Sequence, residues 1–427
     1  MLKRIEEQFE ISRAGMMKII KDFHSEMEKG LAGELSSLKM IPTYIEMPTG
    51  KEKGEYIALD LGGTNFRVLE LDLYGSGKTG AVKMMKFALQ KKHMTGTAED
   101  FFDFIATCVG LFLKKHKLSG AGKLDLGFTF SFPIRQTSAS SGILMCWTKG
   151  FEVSRVVGKD VVKMMDEAFA RKGIGNIRIS ALVNDTVGTL ASKSYRDPNC
   201  DVGVIIGTGT NACYPEELSK IGKWRGPGNR TGKMVVNIEW GNFNKLKPTS
   251  CDKELDERSD NPGRQILEKM VSGMYLGEVT RLVLKEAGLS LKENSFETEY
   301  LSIIEADKSR ALRKTAGILA KLRPGLKLSA EERSGVKKIC EIVSRRAARI
   351  SASCISAIVT RIDPGVSGRH TIAIDGSVFE KHPTFSKNMR NALREIFGEK
   401  ASRIKLTLAK DGSGEGAAII AAVAASA

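Results

Sequence analysis

The chain has 427 residues, 42% of them apolar and 27% charged, and its 66 Lys and Arg against 50 Asp and Glu give a formal net charge of +16. That length exceeds one core and fits two domains, and the composition excludes a disordered or low-complexity chain. The basic excess suits an anionic partner (nucleic acid, an acidic membrane or a small anionic substrate such as a nucleotide) but says nothing of the fold.

In chain order, residues 1–53 read as an amphipathic helix, with Met16, Ile19, Ile20, Phe23, Met27 and Leu31 on one face, and then an irregular arm through Pro42, Pro48 and Gly50. Its first thirty residues have no signal-peptide apolar region. Residues 56–73 follow as an apolar strand, a glycine turn and a second strand that alternates Leu69, Leu71 and Leu73 with Glu70 and Asp72. A helix is expected from Thr97 to Lys117 with Phe101, Phe104, Ile105, Cys108 and Phe112 inward, then a strand from Leu124 to Phe132 stopped by Pro133. A polar loop at 136–142 leads to a helix at 153–172, a short β-rich run at 177–183 ending in Asn184-Asp185, and a helix at 186–196.

The second half is larger and more helical. Strands are expected at 201–206 and 234–239, one long helix within 262–289, another at 330–362, and strands at 371–374 and 405–408 before a terminal helix of small residues. That last apolar run, 417–427, is too short to cross a bilayer, so no membrane span is expected. The densest basic stretch, 307–350, carries 13 Lys and Arg against four acids. Its apolar residues recur at helical spacing (Ile318, Leu319, Leu322; Val336, Ile339, Ile342, Val343), so these charges read as solvated helix faces, and no nucleic-acid partner is expected. The seven cysteines show no C-x-x-C and no spacing paired with the five histidines, which argues for reduced thiols in a cytoplasmic protein and against a zinc site.

The chain repeats one statement. Gly-Gly-Thr-Asn at 62–65 and Thr-Gly-Thr-Asn at 208–211 each follow an apolar strand and lead into another. Glycines there let backbone N–H groups approach an anion with no Cβ in the way. The first is neither a P-loop, since no Gly-Lys-Ser/Thr follows and no helix begins at the turn, nor a dinucleotide fingerprint, which also needs a helix directly after the glycines. Each turn taken alone reads equally well as an ordinary hairpin; the duplication suggests two α/β domains that each offer a phosphate-facing turn to a shared cleft.

Other constellations carry two readings. Asn184-Asp185, at a strand tip before a helix, suits an N-cap, and equally a carboxylate placed to take a proton from a bound hydroxyl; residue type alone favours the cap. Ser131 and Thr148-Lys149 bracket the polar loop, which suits either solvent or a polyol. Glu239 closes a strand before Trp240-Gly241. Gln265 and Glu268 are spaced to share a helix face, and Glu268 suits either a surface pair with Arg264 or Lys269 or a hydrogen bond to a sugar hydroxyl. Asp375-Gly376-Ser377 and Asp411-Gly412-Ser413-Gly414 are strand-to-helix turns, ordinary in themselves and also suited to a nucleotide.

Together these segments resemble the eukaryotic-type hexokinase family. The resemblance is carried by Leu-Asp-Leu-Gly-Gly-Thr-Asn-Phe-Arg (59–67), Gly-Phe-Thr-Phe-Ser-Phe-Pro (127–133), Trp-Thr-Lys-Gly-Phe (147–151), Val-Asn-Asp-Thr-Val-Gly-Thr (183–189), Ile-Gly-Thr-Gly-Thr-Asn-Ala-Cys-Tyr (206–214), Asn-Ile-Glu-Trp-Gly (237–241), Glu-Lys-Met-Val-Ser-Gly-Met-Tyr-Leu-Gly-Glu (268–278) and Asp-Gly-Ser-Gly-Glu-Gly-Ala-Ala (411–418). These stand in the family's order from about residue 55 onward, and the length resembles a single unit of the family rather than its tandem form.

The resemblance implies an α/β, two-domain sugar-kinase/actin-like (ribonuclease H-like) fold with a sugar and nucleotide cleft between lobes. It implies a helical arm at 1–53 on the large domain, a small domain at 54–188 with the helix at 413–427, and a large domain at 189–412. The activity implied is transfer of the γ-phosphoryl of Mg-ATP to the 6-hydroxyl of a hexose, glucose first; a catalytically idle sugar sensor on the same fold is the alternative. Asp185 would be the base, which reverses the cap reading, and Lys149 a cation near the reacting oxygens. Ser131, Thr148, Lys149, Asn184, Asp185, Asn211, Glu239, Gln265 and Glu268 would bind the sugar. Asp60 would orient Mg²⁺ through water. Gly62, Gly63, Thr64, Asn65, Arg67 and Thr208 would form phosphate turns, with Asp375, Gly376, Ser377, Gly412 and Ser413 near the nucleotide. A monomer or homodimer is expected. Three features depart from the family pattern: Glu415 stands where Lys is common, the stretch 220–233 is longer than usual, and the chain ends soon after its last helix.

Overall fold

The apolar run after Gly54 becomes strand Lys53–Leu61, and the alternating run becomes Asn65–Gly75, paired antiparallel with Asp60 opposite Arg67. The structure, a computed structural model, describes residues 1–62, 65–120, 122–148, 150–229, 231–410 and 412–426. The chain forms two compact units: Met1–Met40 with Val204–Ala212 and Ile238–Leu408, and Ile41–Gly203 with Cys213–Asn237 and Ala409–Ala427. One six-stranded sheet has the order Ile41–Pro42, Lys233–Asn237, Thr210–Glu217, Cys200–Ile206, His370–Asp375, Ile404–Leu408.

The unit built on 41–203 holds a second sheet, ordered Lys78–Thr79, Asn65–Gly75, Lys53–Leu61, Leu124–Phe130, Ile177–Val183, with Lys83–Ala88 also pairing Asn65–Gly75. The last two strands of that path run parallel to Lys53–Leu61. Successive side chains point to opposite faces. On one face Leu126, Phe128 and Phe130 pack with helices Ala98–Lys115 and Val161–Arg171 into a core that also takes Phe101, Phe102 and Phe112. On the other face lies the helix Gly412–Ala425, and only glycines admit it. A Cβ on Gly127 would collide with the Ala417 carbonyl, and one on Gly416 with the carbonyl of Gly188 in helix Asp185–Ser194.

In the unit carrying both 1–40 and 238–408, the 33-residue helix Ala330–Ile362 is the axis, with Arg13–Ala32 and Phe385–Phe397 packed along it. Its start is fixed by a capping box between Ser329 and Glu332. Strands His370–Asp375 and Ile404–Leu408 pair parallel. Among the described residues no helix is long and apolar enough to cross a membrane.

Several sequence expectations are corrected. The first helix is two, Leu2–Phe9 and Arg13–Ala32, because Ser12 caps the second by accepting the Gly15 N–H. The polar loop at 136–142 is a hairpin, Ile134–Ser138 with Ser141–Leu144. The helix expected at 153–172 begins only at Val161, where Asp160 accepts the Val162 and Lys163 N–H groups. The long helix within 262–289 is broken into Ile266–Val271 and Leu276–Glu286. Glu70, on the face opposite Leu69 and Leu71, is 2% exposed, and strand Lys83–Ala88 brings Lys83 Nζ to 2.6 Å from it. Among the described residues no cysteine lies in a disulfide. Burial pushes Cys108 up to about 11 and Cys251 to about 12, so both stay protonated at neutral pH.

Candidate active site

The described site residues of the unit built on 41–203 gather at strand ends. Asp60 is 6% exposed, and its Oδ2 accepts from the Arg67 guanidinium at 2.7 Å and from the Ser413 hydroxyl at 3.0 Å. The first contact follows from hairpin register. The second joins residues 353 apart in sequence. Ser413 is held in turn by Thr129, whose hydroxyl donates to its carbonyl at 3.3 Å. Asn65 opens strand Asn65–Gly75, and the hydroxyl of Ser131, itself 8% exposed, lies 3.8 Å from where an ideal Cβ on Gly62 would stand. Gly63, Thr64, Lys149 and Asp411 lie outside the described residues.

Asn184 and Asp185 share the strand-to-helix corner, and the structure assigns the cap to Asn184. Its Oδ1 accepts the Thr186 N–H at 2.9 Å, with φ −88° and ψ 157°. Asp185 is the first helical residue, half-buried, with Oδ1 2.8 Å from the same N–H. The adjacent Cys213 thiol is driven up by burial and stays neutral. Thr148 is exposed on a loop pinned by aromatic rings: Trp147 stacks on Phe151 at 5.5 Å, meets Phe132 edge-on at 4.9 Å and donates Nε1–H to the Val153 carbonyl. Sequence reading passed over Trp147 as an anchor, although its place beside Thr148 was a usable signal.

In the other unit, Asn211, Glu239, Gln265 and Glu268 come together. Asn211 Nδ2 donates to Glu239 Oε1 at 3.0 Å, and Lys39 Nζ lies 4.0 Å from Glu239 Oε2. Glu268 Oε2 accepts the Thr210 N–H at 2.9 Å. Lys269, offered by the sequence as a partner for Glu268, pairs instead with Asp256 at 2.5 Å. Gly209 and Gly241 make the gathering possible, since a Cβ on the first would stand 2.8 Å from Glu268 Oε2 and one on the second 2.6 Å from Gln265 Oε1. Glu239 (φ 56°) and Gln265 (φ 53°) both adopt left-handed backbone. That conformation is uncommon for residues other than glycine and clusters at functional sites. Gln265 therefore precedes its helix instead of sharing a face with Glu268, and the two still converge. Beneath them the fully buried Trp240 donates Nε1–H to Thr210 Oγ1 at 2.8 Å. Thr210 and Lys39 were missed by the sequence reading, and nothing local marks Lys39.

The second glycine turn of this unit meets the Asp375 turn. The Thr208 carbonyl accepts the Met274 N–H at 3.1 Å, and a Cβ on Gly207 would stand 3.3 Å from Gly376 Cα. Asp375 Oδ1 accepts the Gly376 N–H at 2.7 Å, and Ser377 starts helix Ser377–Lys381. The described residues place a carboxylate cluster elsewhere, Glu55, Glu70 and Asp72, where Lys83 supplies a cation. Gly412 is buried at the start of the last helix.

In fold the chain is similar to solved hexokinases. A glucokinase from an Antarctic psychrotroph shares the fold alone, with a TM-score of 0.51 at 13% identity over 86% of this chain and 98% of that one. Residues 1–195 and 201–423 each match a family model described as hexokinase. The chain is 43% identical to hexokinase-7 of Oryza sativa subsp. japonica over 424 residues, covering 93% of this chain and 91% of the relative. It is 40% identical to human hexokinase-2 over 440 residues, 97% of this chain and 47% of the relative, and spans about half the length of the mammalian curated relatives it matches. A solved hexokinase from Schistosoma mansoni, complexed with glucose, superposes with a TM-score of 0.86 at 35% identity, over 99% of this chain and 98% of that one. The chain belongs to the hexokinase family.

Proposed function

We propose that this chain is an ATP-dependent hexokinase that transfers the γ-phosphoryl of Mg-ATP to the 6-hydroxyl of glucose or a related hexose, giving the hexose 6-phosphate and ADP. The observation that carries the reading is the convergence of Asn211, Glu239, Gln265 and Glu268, two of them in left-handed backbone, in a chain of this family. Carboxylates accept neutral hydroxyl protons in charge-assisted hydrogen bonds, and amides add donors and acceptors, which is what a polyol requires. Ser131, Thr148, Lys149 and Asn184 complete the proposed sugar ligands.

Asp185 takes the proton of the 6-hydroxyl as that oxygen forms its bond to the γ-phosphorus, and the bond to the β–γ bridging oxygen breaks to release ADP. Lys149 offsets charge on the reacting oxygens. Gly62–Asn65, Arg67, Thr208, Asp375–Ser377, Gly412 and Ser413 hold the nucleotide. The donor set around Asp60 suits hydrated Mg²⁺. It offers one carboxylate whose Oδ2 already serves Arg67 and Ser413, and Mg²⁺ keeps several waters and is held through one or two carboxylates. When bound, the ion neutralises charge on the phosphate oxygens. We further infer a cytoplasmic monomer or homodimer.

Coupled measurement of ADP release with glucose, fructose, mannose and glucosamine tests the reading; no hexose-dependent release above background rejects it. Glu239→Gln is expected to weaken hexose binding by roughly 1.5–3 kcal/mol for each charge-assisted hydrogen bond lost. Titration calorimetry reads that loss, and unchanged affinity in both Glu239→Gln and Glu268→Gln would remove these residues from the sugar.

Glu415 takes its charge partner from within the protein. Arg196 pairs with it at 2.8 Å and also donates to Thr79 and Ser192. Glu415→Lys, toward the residue common in the family, would set two cations together, so thermal melting should show a lower midpoint and titration no gain in ATP affinity. A gain in affinity with an unchanged midpoint would contradict this.

A further inference from the structure

Thr186 is fully buried at the second position of helix Asp185–Ser194, directly after the two corner residues Asn184 and Asp185. Its N–H donates to Asn184 Oδ1 at 2.9 Å and faces Asp185 Oδ1 at 2.8 Å. Its hydroxyl donates to the same Asn184 Oδ1, at 2.5 Å. The N–H contact to Asn184 is the helix cap, since it satisfies one of the backbone donors that a helix start leaves over. The hydroxyl contact satisfies no backbone group, so capping does not explain it.

What the hydroxyl does is fix the amide. One donor leaves an amide free to swing about that contact; two donors from different atoms of one residue set its plane and its direction. Both atoms belong to a buried β-branched residue whose side chain is stiff, so the frame itself is rigid. A backbone N–H can only donate, so the end of the amide that meets Thr186 is the oxygen, and the other end is Nδ2 with two protons to give. We infer that Thr186 is a positioning residue that sets Asn184 to give hydrogen bonds to the hexose and steadies Asp185 beside it to take them. This rests on the function proposed above, which makes both residues sugar ligands. It adds a polarity to that site: the hexose hydroxyl that meets Asn184 accepts, and the one that meets Asp185 donates.

Steady-state kinetics, calorimetric glucose titration and thermal melts on variants of Thr186 and Asn184 test it. Thr186→Val keeps the shape and the N–H but puts a methyl where the hydroxyl stood, so the amide must turn. Hexose KM and Kd are expected to rise about tenfold, with the ATP KM held within about twofold. Thr186→Ser keeps the hydroxyl and should restore most of the affinity. With Asn184→Ala already present, Thr186→Val should add no further loss of hexose affinity, because the group it positions is gone. Asn184→Asp decides the matter if Thr186→Val does not fold. Aspartate caps as well and can accept both Thr186 contacts but has no amide protons to give, so hexose Kd should rise about tenfold at an unchanged melting midpoint. Hexose and ATP constants rising together in Thr186→Val, an equal added loss beside Asn184→Ala, or unchanged hexose affinity in Asn184→Asp would overturn the inference. A wild-type protein that binds no hexose would instead reject the functional reading, and the inference with it.

Discussion

Asp185→Asn is expected to fold with near-wild-type stability and to lose turnover by about 10²–10⁴-fold, the usual contribution of a general base. The stability half of this expectation comes from the corner geometry. Asn184, not Asp185, caps helix Asp185–Ser194, so replacing Asp185 leaves the capping bond to the Thr186 N–H in place. Asparagine also retains an oxygen where Asp185 Oδ1 stands, 2.8 Å from that N–H. What is lost is the charge that attracts the hydroxyl proton. The contrasting variant is Asn184→Ala, which should cost about 0.5–2 kcal/mol as the loss of a cap. Thermal melts beside kcat separate the two. Near-normal turnover in Asp185→Asn would remove Asp185 as the base.

Asp60→Ala is expected to lower kcat far more than it weakens hexose binding, because Asp60 is proposed to act on the Mg-nucleotide and not on the sugar. Asp60 also balances Arg67, so part of any loss in the alanine variant comes from leaving a guanidinium that is only 22% exposed without its carboxylate. Asp60→Asn keeps an acceptor for Arg67 and Ser413 and isolates the charge. A large fall in kcat for Asp60→Asn, with hexose affinity held, is the expected split. Equal losses in both constants would place Asp60 with the sugar or with folding.

What was legible in the sequence was set by local signals. The β-rich run at 177–183 became strand Ile177–Val183, and a capped amphipathic pattern became Ala330–Ile362, since a long periodic stretch leaves little competition. The antiparallel register that sets Asp60 against Arg67 follows from a hairpin. What was illegible depends on distant partners. The break between Val271 and Leu276 has no proline to announce it; the Gly273 and Met274 N–H groups turn to the carbonyls of Gly207 and Thr208, residues far back in the chain. Gln265 was expected within a helix, but its amide sits against Gly241 in left-handed backbone, a tertiary demand that residue type does not encode. Choosing between Asn184 and Asp185 as the cap required backbone angles, since both residues cap well. The burial of Glu70 beside Lys83, which a third strand supplies, is likewise not written in its own strand.

The central claim is transfer of a phosphoryl group from ATP to a sugar oxygen, and the most direct measurement follows the phosphorus itself. Wild-type protein is incubated with Mg²⁺, glucose and ATP labelled at the γ-phosphate, and the products are separated and examined by phosphorus NMR. The account predicts one labelled product per ADP formed, a hexose monophosphate whose phosphorus couples to the protons on carbon 6. Label recovered as inorganic phosphate at the rate of ADP formation, or no label leaving ATP in the presence of glucose, would contradict it.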